Sequence, residues 1–117
     1  PTNQREINVK AELAHGEIFR FYQKLIALRK QYQVISDGSY VPFGTEIDRL
    51  YAYERVAGDV HLLVLNNFSD KAITVPLPPR FQHARVLITN EADLTPTATM
   101  TLPPYATIAL LQSDKGE

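Results

Sequence analysis

Leu50-Tyr51-Ala52-Tyr53-Glu54-Arg55-Val56, then Ala57-Gly58-Asp59, then Val60-His61-Leu62-Leu63-Val64-Leu65, is the stretch on which the fold turns. Two runs rich in β-branched and aromatic residues flank a glycine-aspartate turn, the signature of a β-hairpin. The second run closes on four consecutive apolar residues, Leu62–Leu65, and Ile108–Leu111 repeats that feature near the C-terminus. Uninterrupted apolar strands are expected where both faces of a sheet are covered. Working outward, Ser39–Phe43, Leu50–Val56, Val60–Asn66, Ala72–Leu77, Ala84–Thr89, Thr99–Leu102 and Tyr105–Gln112 read as strands. Turn clusters separate them: Gly44-Thr45, Gly58-Asp59, Ser69-Asp70, Pro78-Pro79, Asn90–Asp93 and Pro103-Pro104. Short strands spaced about 8–12 residues apart predict an antiparallel β-sandwich of Greek-key type.

Upstream the pattern changes from alternating to helical. Between Glu17 and about Tyr32, Ile18, Phe21, Tyr22, Leu25, Leu28 and Tyr32 recur at three- and four-residue steps. With Phe19 and Ile26 added, the apolar sector is roughly 180° wide, whereas a surface helix needs only about 100°. Such a helix is expected to be covered on two sides. Glu17 in its first turn and Arg29 with Lys30 in its last suit the helix dipole. Arg29 falls inside the apolar sector, which predicts a partly buried, paired structural arginine. Residues 1–14 carry no clean period, and His15-Gly16 breaks them from the helix, so they read as a connecting segment. The expected organisation is therefore 1–34, a connecting segment and one long α-helix, followed by 35–117, the mainly β part.

Composition narrows the function classes. The 117 residues carry 12 basic and 13 acidic side chains, a net charge of −1, with 44% apolar and 21% charged residues. That is globular composition, and near-neutral charge argues against a nucleic-acid partner. Residues 1–35 sum to +3, from Arg5, Lys10, Arg20, Lys24, Arg29 and Lys30 against Glu6, Glu12 and Glu17, so the remainder sums to −4. No run of about 18 apolar residues exists, so no membrane span is expected. Without cysteine there is neither a disulfide framework nor a thiolate metal site. No charged-then-apolar leader opens the chain, and a cytoplasmic location is expected. The chain begins at Pro1 rather than methionine, which suggests a piece of something longer.

Chemistry needs groups that converge, and few candidates are visible. The five glycines are scattered, so no phosphate-cradling loop exists. There is no Gly-x-Ser-x-Gly elbow and no thiol nucleophile. His15, His61 and His83 lack paired metal spacing, and the latter two read as surface or satisfied histidines. A retaining glycosidase needs two carboxyls about 5–5.5 Å apart. Asp48, Glu54, Glu91 and Asp93 are available but fall in turns or at strand edges, where solvated carboxylates are the default. Asn67-Phe68-Ser69 matches a glycosylation sequon, yet it reads first as a turn. Tyr40, Phe43, Tyr51, Tyr53 and Tyr105 are the candidates for a sugar platform, although alternating strand aromatics are mostly core or cross-strand pairs. No catalytic, cofactor-binding or metal-binding residue is assigned, and no cofactor is expected.

Asn3-Gln4-Arg5-Glu6-Ile7-Asn8-Val9 resembles the Asn-Tyr-Lys-Glu-Ile-Asn-Val stretch near the end of the barrel in α-glucosidases of the α-amylase superfamily, glycoside hydrolase family 13. Ile18–Lys30 resembles the last barrel helix of that family, with its Tyr-x-Lys-Leu-Ile-x-Leu-Arg-Lys core. Gly38-Ser39-Tyr40, Tyr51–Arg55, Leu62–Ser69 and Leu102–Tyr105 follow in the family's order, most like the oligo-1,6-glucosidase, dextran glucosidase and trehalose-6-phosphate hydrolase group. There are departures: Pro1-Thr2 for Asn-Pro, Gln4 for an aromatic, a shorter entry at His15–Glu17, and Ala106-Thr107 for Glu-Ala. The resemblance implies a (β/α)8-barrel parent that is a retaining α-glucosidase, with every catalytic carboxylate upstream of this chain. It also implies that this piece is inactive alone and that its partner is the missing barrel. Self-association through the uncovered helix face is expected as well. The rival readings are a carbohydrate-binding β-sandwich module and a protein-interaction domain.

Overall fold

The alternating stretches form the strands expected of them. In the computed structural model, residues 2–114 are described, with side chains from Val9 onward. Pro1, residues 115–117 and the side chains of most of the Asn3–Val9 motif lie outside the described residues. The strands are β1 (Ser39–Phe43), β2 (Leu50–Ala57), β3 (Val60–Asn67), β4 (Ile73–Pro76), β5 (Arg85–Thr89), β6 (Thr99–Leu102) and β7 (Thr107–Ser113). The β2–β3 hairpin closes through a two-residue loop, since Ala57 pairs with Val60. Its first loop residue, Gly58, sits at φ +60°, the left-handed region that a side chain disfavours.

Five strands form one antiparallel sheet in the order β1-β2-β3-β7-β5, and β4 pairs with β6 in a second, smaller sheet. After β3 the chain crosses to the small sheet, returns as β5, crosses again as β6, and re-enters as β7 between β3 and β5. These sheet-to-sheet crossings are the connections of a Greek-key sandwich. The result is mainly β, with one long helix at the start.

Leu62–Leu65 shows why its run is unbroken. Leu63 and Leu65 point between the sheets, into a core with Ala52, Val75, Leu77, Phe81, Met100, Leu102, Ile108 and Leu110. Leu62 and Val64 point to the other face, where they meet Ala109, Phe21, Leu25 and Val34. The two-faced burial read from the apolar runs is therefore real. Three layers stack: helix, large sheet, small sheet.

The helix departs from expectation in its extent. α1 runs over Thr2–Ala27, 26 residues, straight through His15-Gly16, and a 3₁₀ turn at Leu28–Lys30 follows. Glu17 therefore lies mid-helix rather than in a first turn. Gly16 lowers helix stability by only about 1 kcal/mol, which the surrounding strong formers Lys10, Ala11, Glu12, Leu13 and Ala14 outweigh. Ile18, Phe21 and Leu25 are buried, and Tyr22 is half-buried beside them. Phe19 and Ile26 remain 65% and 51% exposed. Arg29 is also corrected: it is exposed, because the tighter 3₁₀ turn re-aims it and the chain's own strands do not cover that flank.

A short helix, α2 (Val34–Asp37), joins helix to sheet. Gly38 follows where no larger residue fits, since a Cβ there would lie 2.9 Å from the Val34 carbonyl oxygen and 3.1 Å from the Val56 backbone. The Arg55 Nη2 group donates to the carbonyls of Ser36 (3.0 Å) and Gly38 (2.9 Å), fastening this junction to β2.

Candidate functional site

The polar candidates do not converge on a reaction centre. His15 sits exposed on α1, its ring edge-on to Tyr105 at 6.0 Å. His83 is exposed in a loop at φ +67°. His61, on β3, is the satisfied histidine expected: its Nδ1 lies 3.0 Å from Glu54 Oε2, and its Nε2 lies 3.6 Å from Asp114 Oδ2. Arg80 donates to Asp114 Oδ1 and, at 3.0 Å, to Gln112 Oε1. The Arg80 hydrogen bond holds the Asp114 carboxyl below the usual range. Asp48 is exposed beside Arg49 at 3.7 Å, and Asp93 is exposed in the turn after β5. Glu91 lies in that same turn, its backbone N–H donating to Thr89 Oγ1 at 3.1 Å. Among the described residues no group of three His, Asp or Glu side chains could hold a metal ion, and no helix is long and apolar enough to cross a membrane.

Asn67, the sequon asparagine, is wholly buried. Its Nδ2 donates to the carbonyls of Lys71 (2.7 Å), Leu102 (3.1 Å) and Pro103 (3.0 Å). Its Oδ1 accepts from the Ser69 N–H (3.0 Å) and the Ser69 hydroxyl (2.7 Å). The turn reading thus prevails, and this asparagine ties the exit of β3 to the exit of β6.

Phe68 points the other way and belongs to an aromatic groove. The strand alternation that puts Ala52 in the inter-sheet core puts Tyr51 and Tyr53 on the helix side of β2. Tyr40, on the edge strand β1, stacks on Tyr53 with centroids 5.2 Å apart and planes 25° apart. Tyr51 lies 5.9 Å from Tyr53 and 6.1 Å from Phe68. Tyr22 of α1 and Arg55 complete the lining of an open groove of about 510 Å³. Tyr40, Tyr51 and Phe68 are 49%, 46% and 46% exposed.

Three of the phenols, Tyr22, Tyr51 and Tyr53, are held above the range of free tyrosine. The hydrogen bond between the Tyr40 and Tyr51 hydroxyls, 3.3 Å apart, pushes Tyr51 up to about 12. Burial raises Tyr53, and burial with Tyr53 alongside raises Tyr22 further still. The Arg55 guanidinium is the charged group in the lining of the groove. Of the five platform candidates, Tyr40, Tyr51 and Tyr53 come together. Phe43 packs against the inter-sheet core, and Tyr105, at φ +59°, turns toward His15 in the middle of α1. Phe68 and Tyr22 were not among the candidates; Phe68 beside an asparagine-serine turn was the available signal.

Residues 50–109, which carry the hairpin, the asparagine tie and the start of the return strand β7, match the family model described as the α-amylase SusG C-terminal domain. The chain belongs to this family. It is 39% identical over 111 residues to trehalose-6-phosphate hydrolase of Bacillus subtilis (strain 168), which covers 91% of this SusG-type chain and 20% of that protein. Over 91 residues it is 38% identical to oligo-1,6-glucosidase of Parageobacillus thermoglucosidasius, covering 75% of this chain and 16% of that one. The crystal structure of Bacillus licheniformis trehalose-6-phosphate hydrolase superposes with a TM-score of 0.71 at 36% identity, over 83% of this chain and 18% of that one. The SusG-type chain thus spans about a fifth of the length of the relatives it matches.

Proposed function

We propose that the chain is the non-catalytic C-terminal part of a glycoside hydrolase acting on α-glucosidic bonds of short oligosaccharides, where it supports the catalytic barrel and holds the last helix in place. The observation that carries this reading is the unfinished helix. One stripe of α1, Ile18, Phe21 and Leu25, is buried on the chain's own sheet, while Phe19 and Ile26 stand 65% and 51% exposed. Covering such a flank at about 25 cal/mol per Å² stabilises a contact of a few hundred Å² by several kcal/mol. The match to relatives about five times longer supports the same reading. The cytoplasmic location belongs to this proposal, and cell fractionation checks it.

The test replaces the last fifth of the Bacillus subtilis trehalose-6-phosphate hydrolase with this chain. An active, cooperatively unfolding chimera is expected, along with no glucosidase activity from the chain alone. A chimera that expresses without folding, or a chain that hydrolyses α-glucosides unaided, overturns the proposal.

One observation favours a second reading, a carbohydrate-binding module: Tyr40, Tyr51 and Tyr53 gather at one place. Calorimetric titration with isomaltose and maltose decides it. Saturable binding that Tyr51→Ala removes would establish the module.

A further inference from the structure

We infer that Tyr40 and Tyr51 form an oxidative cross-linking site, a phenol pair that a one-electron oxidant converts into an intramolecular dityrosine stapling β1 to β2. This chemistry is independent of the function proposed above.

Dityrosine joins two phenols through the carbons ortho to their hydroxyls, so its two oxygens finish side by side. The Tyr40 and Tyr51 hydroxyls already lie 3.3 Å apart. Oxygens in contact put an ortho carbon of each ring within a ring swing of the other. Both side chains are half exposed, so an oxidant in solution reaches them. Tyr53 is the rival partner. It stacks on Tyr40 with centroids 5.2 Å and planes 25° apart. Stacked rings meet through their faces, whereas the new bond needs their edges, so this contact steadies Tyr40 rather than consuming it. Tyr53 is also less exposed than either member of the pair.

The rest of the chain leaves the oxidant few other targets. Sulfur and indole side chains ordinarily intercept oxidants first, and this sequence has no cysteine and no tryptophan. Its single methionine, Met100, is buried between the sheets. Tyr32 sits under the Arg85 guanidinium and Tyr105 against His15, rather than beside a second phenol.

In the reaction each phenol gives one electron to the oxidant and its hydroxyl proton to water. The two phenoxyl radicals pair at their ortho carbons and form one carbon–carbon bond. The hydrogens on those carbons leave as protons while both oxygens are reprotonated, which restores two aromatic rings. The chain loses two hydrogen atoms and the oxidant gains two electrons. Holding both partners in contact makes the coupling step effectively unimolecular. The residues joined are 11 apart in sequence, and closing that loop removes freedom from the unfolded chain.

The test oxidises the 117-residue chain with photogenerated tris(bipyridine)ruthenium(III), with persulfate as terminal electron acceptor. The expected product is a monomer lighter by two hydrogen atoms, with dityrosine fluorescence whose yield per chain is independent of protein concentration. Trypsin cuts after Arg49, so peptides 31–49 and 50–55 should remain joined. Tyr40→Phe and Tyr51→Phe should each lower the fluorescence several-fold, whereas Tyr53→Phe and Tyr32→Phe should leave most of it. The same oxidation in denaturing urea should lose most of the intramolecular yield, because the hydroxyl contact belongs to the folded chain. A bond made mainly through Tyr53 or Tyr32 would overturn the assignment. So would cross-linked dimers whose share grows with concentration, oxygenated monomers without a cross-link, or an undiminished yield in urea.

Discussion

Asn67 and its neighbour Phe68 occupy opposite environments, and the contrast separates what this chain does for itself from what it offers. The Asn67 side chain is buried with every hydrogen-bonding group engaged, bridging the ends of β3 and β6. Phe68 displays its ring beside Tyr51 with nearly half its surface in water. The same division runs through the molecule. The inter-sheet side is closed and self-sufficient, whereas the helix side keeps an exposed apolar stripe and unpartnered polar atoms. One face of the large sheet is sealed by the chain itself, and the other keeps apolar surface exposed.

The sharpest way to break this contrast is Asn67→Ala. Three carbonyls lose their donor inside a dry turn, so a loss of about 3 kcal/mol or more is expected in urea unfolding. A loss under about 1 kcal/mol would mean that the closed side does not depend on this tie. Next in size is Tyr22→Phe, which removes a buried hydroxyl that lies beside the Asn66 side chain and should shift the stability of the chain by no more than about 1 kcal/mol.

That variant also carries a pH signature. Because burial raises the Tyr22 phenol above its ordinary 10.0, the folded chain keeps a proton that the unfolded chain releases. Stability is therefore complete below pH 10 and falls as the pH climbs past it. The fall should be shallower in Tyr22→Phe when unfolding is followed between pH 9 and about 11. Gly58→Ala should destabilise the isolated chain by about 1 kcal/mol through its left-handed backbone alone, a control belonging to neither face. The smallest effect is expected for Phe68→Ser, within about 0.5 kcal/mol in the isolated chain despite standing next to Asn67.

The β half was legible in the sequence because its signals are local. Ser39–Phe43 and Thr99–Leu102 were bounded to the residue, and the Leu62–Leu65 run announced two covered faces. The start of α1 was not legible. Val9 and Leu13 extend the helix where no sheet lies beneath them, so helix-forming residues persist without the apolar period that a packing surface imposes. Arg29 misled for a related reason: its angular position assumed an unbroken α-helix, and the 3₁₀ turn changed it. At the candidate site, the alternation of Tyr51 and Tyr53 was plain. That Phe68 and Tyr22 would join them depended on tertiary geometry, the placement of a turn and a helix over one edge of the sheet.

The asparagine tie also bears on how the protein can be made. Its acceptors at Leu102 and Pro103 lie 35 and 36 residues downstream. In a secretory eukaryotic host, oligosaccharyltransferase would meet Asn67-Phe68-Ser69 on the nascent polypeptide before those acceptors emerge. A glycan on that nitrogen leaves no room for three carbonyls, and the product would be retained as a misfolded glycoprotein. Bacterial expression follows directly from the position of one side chain.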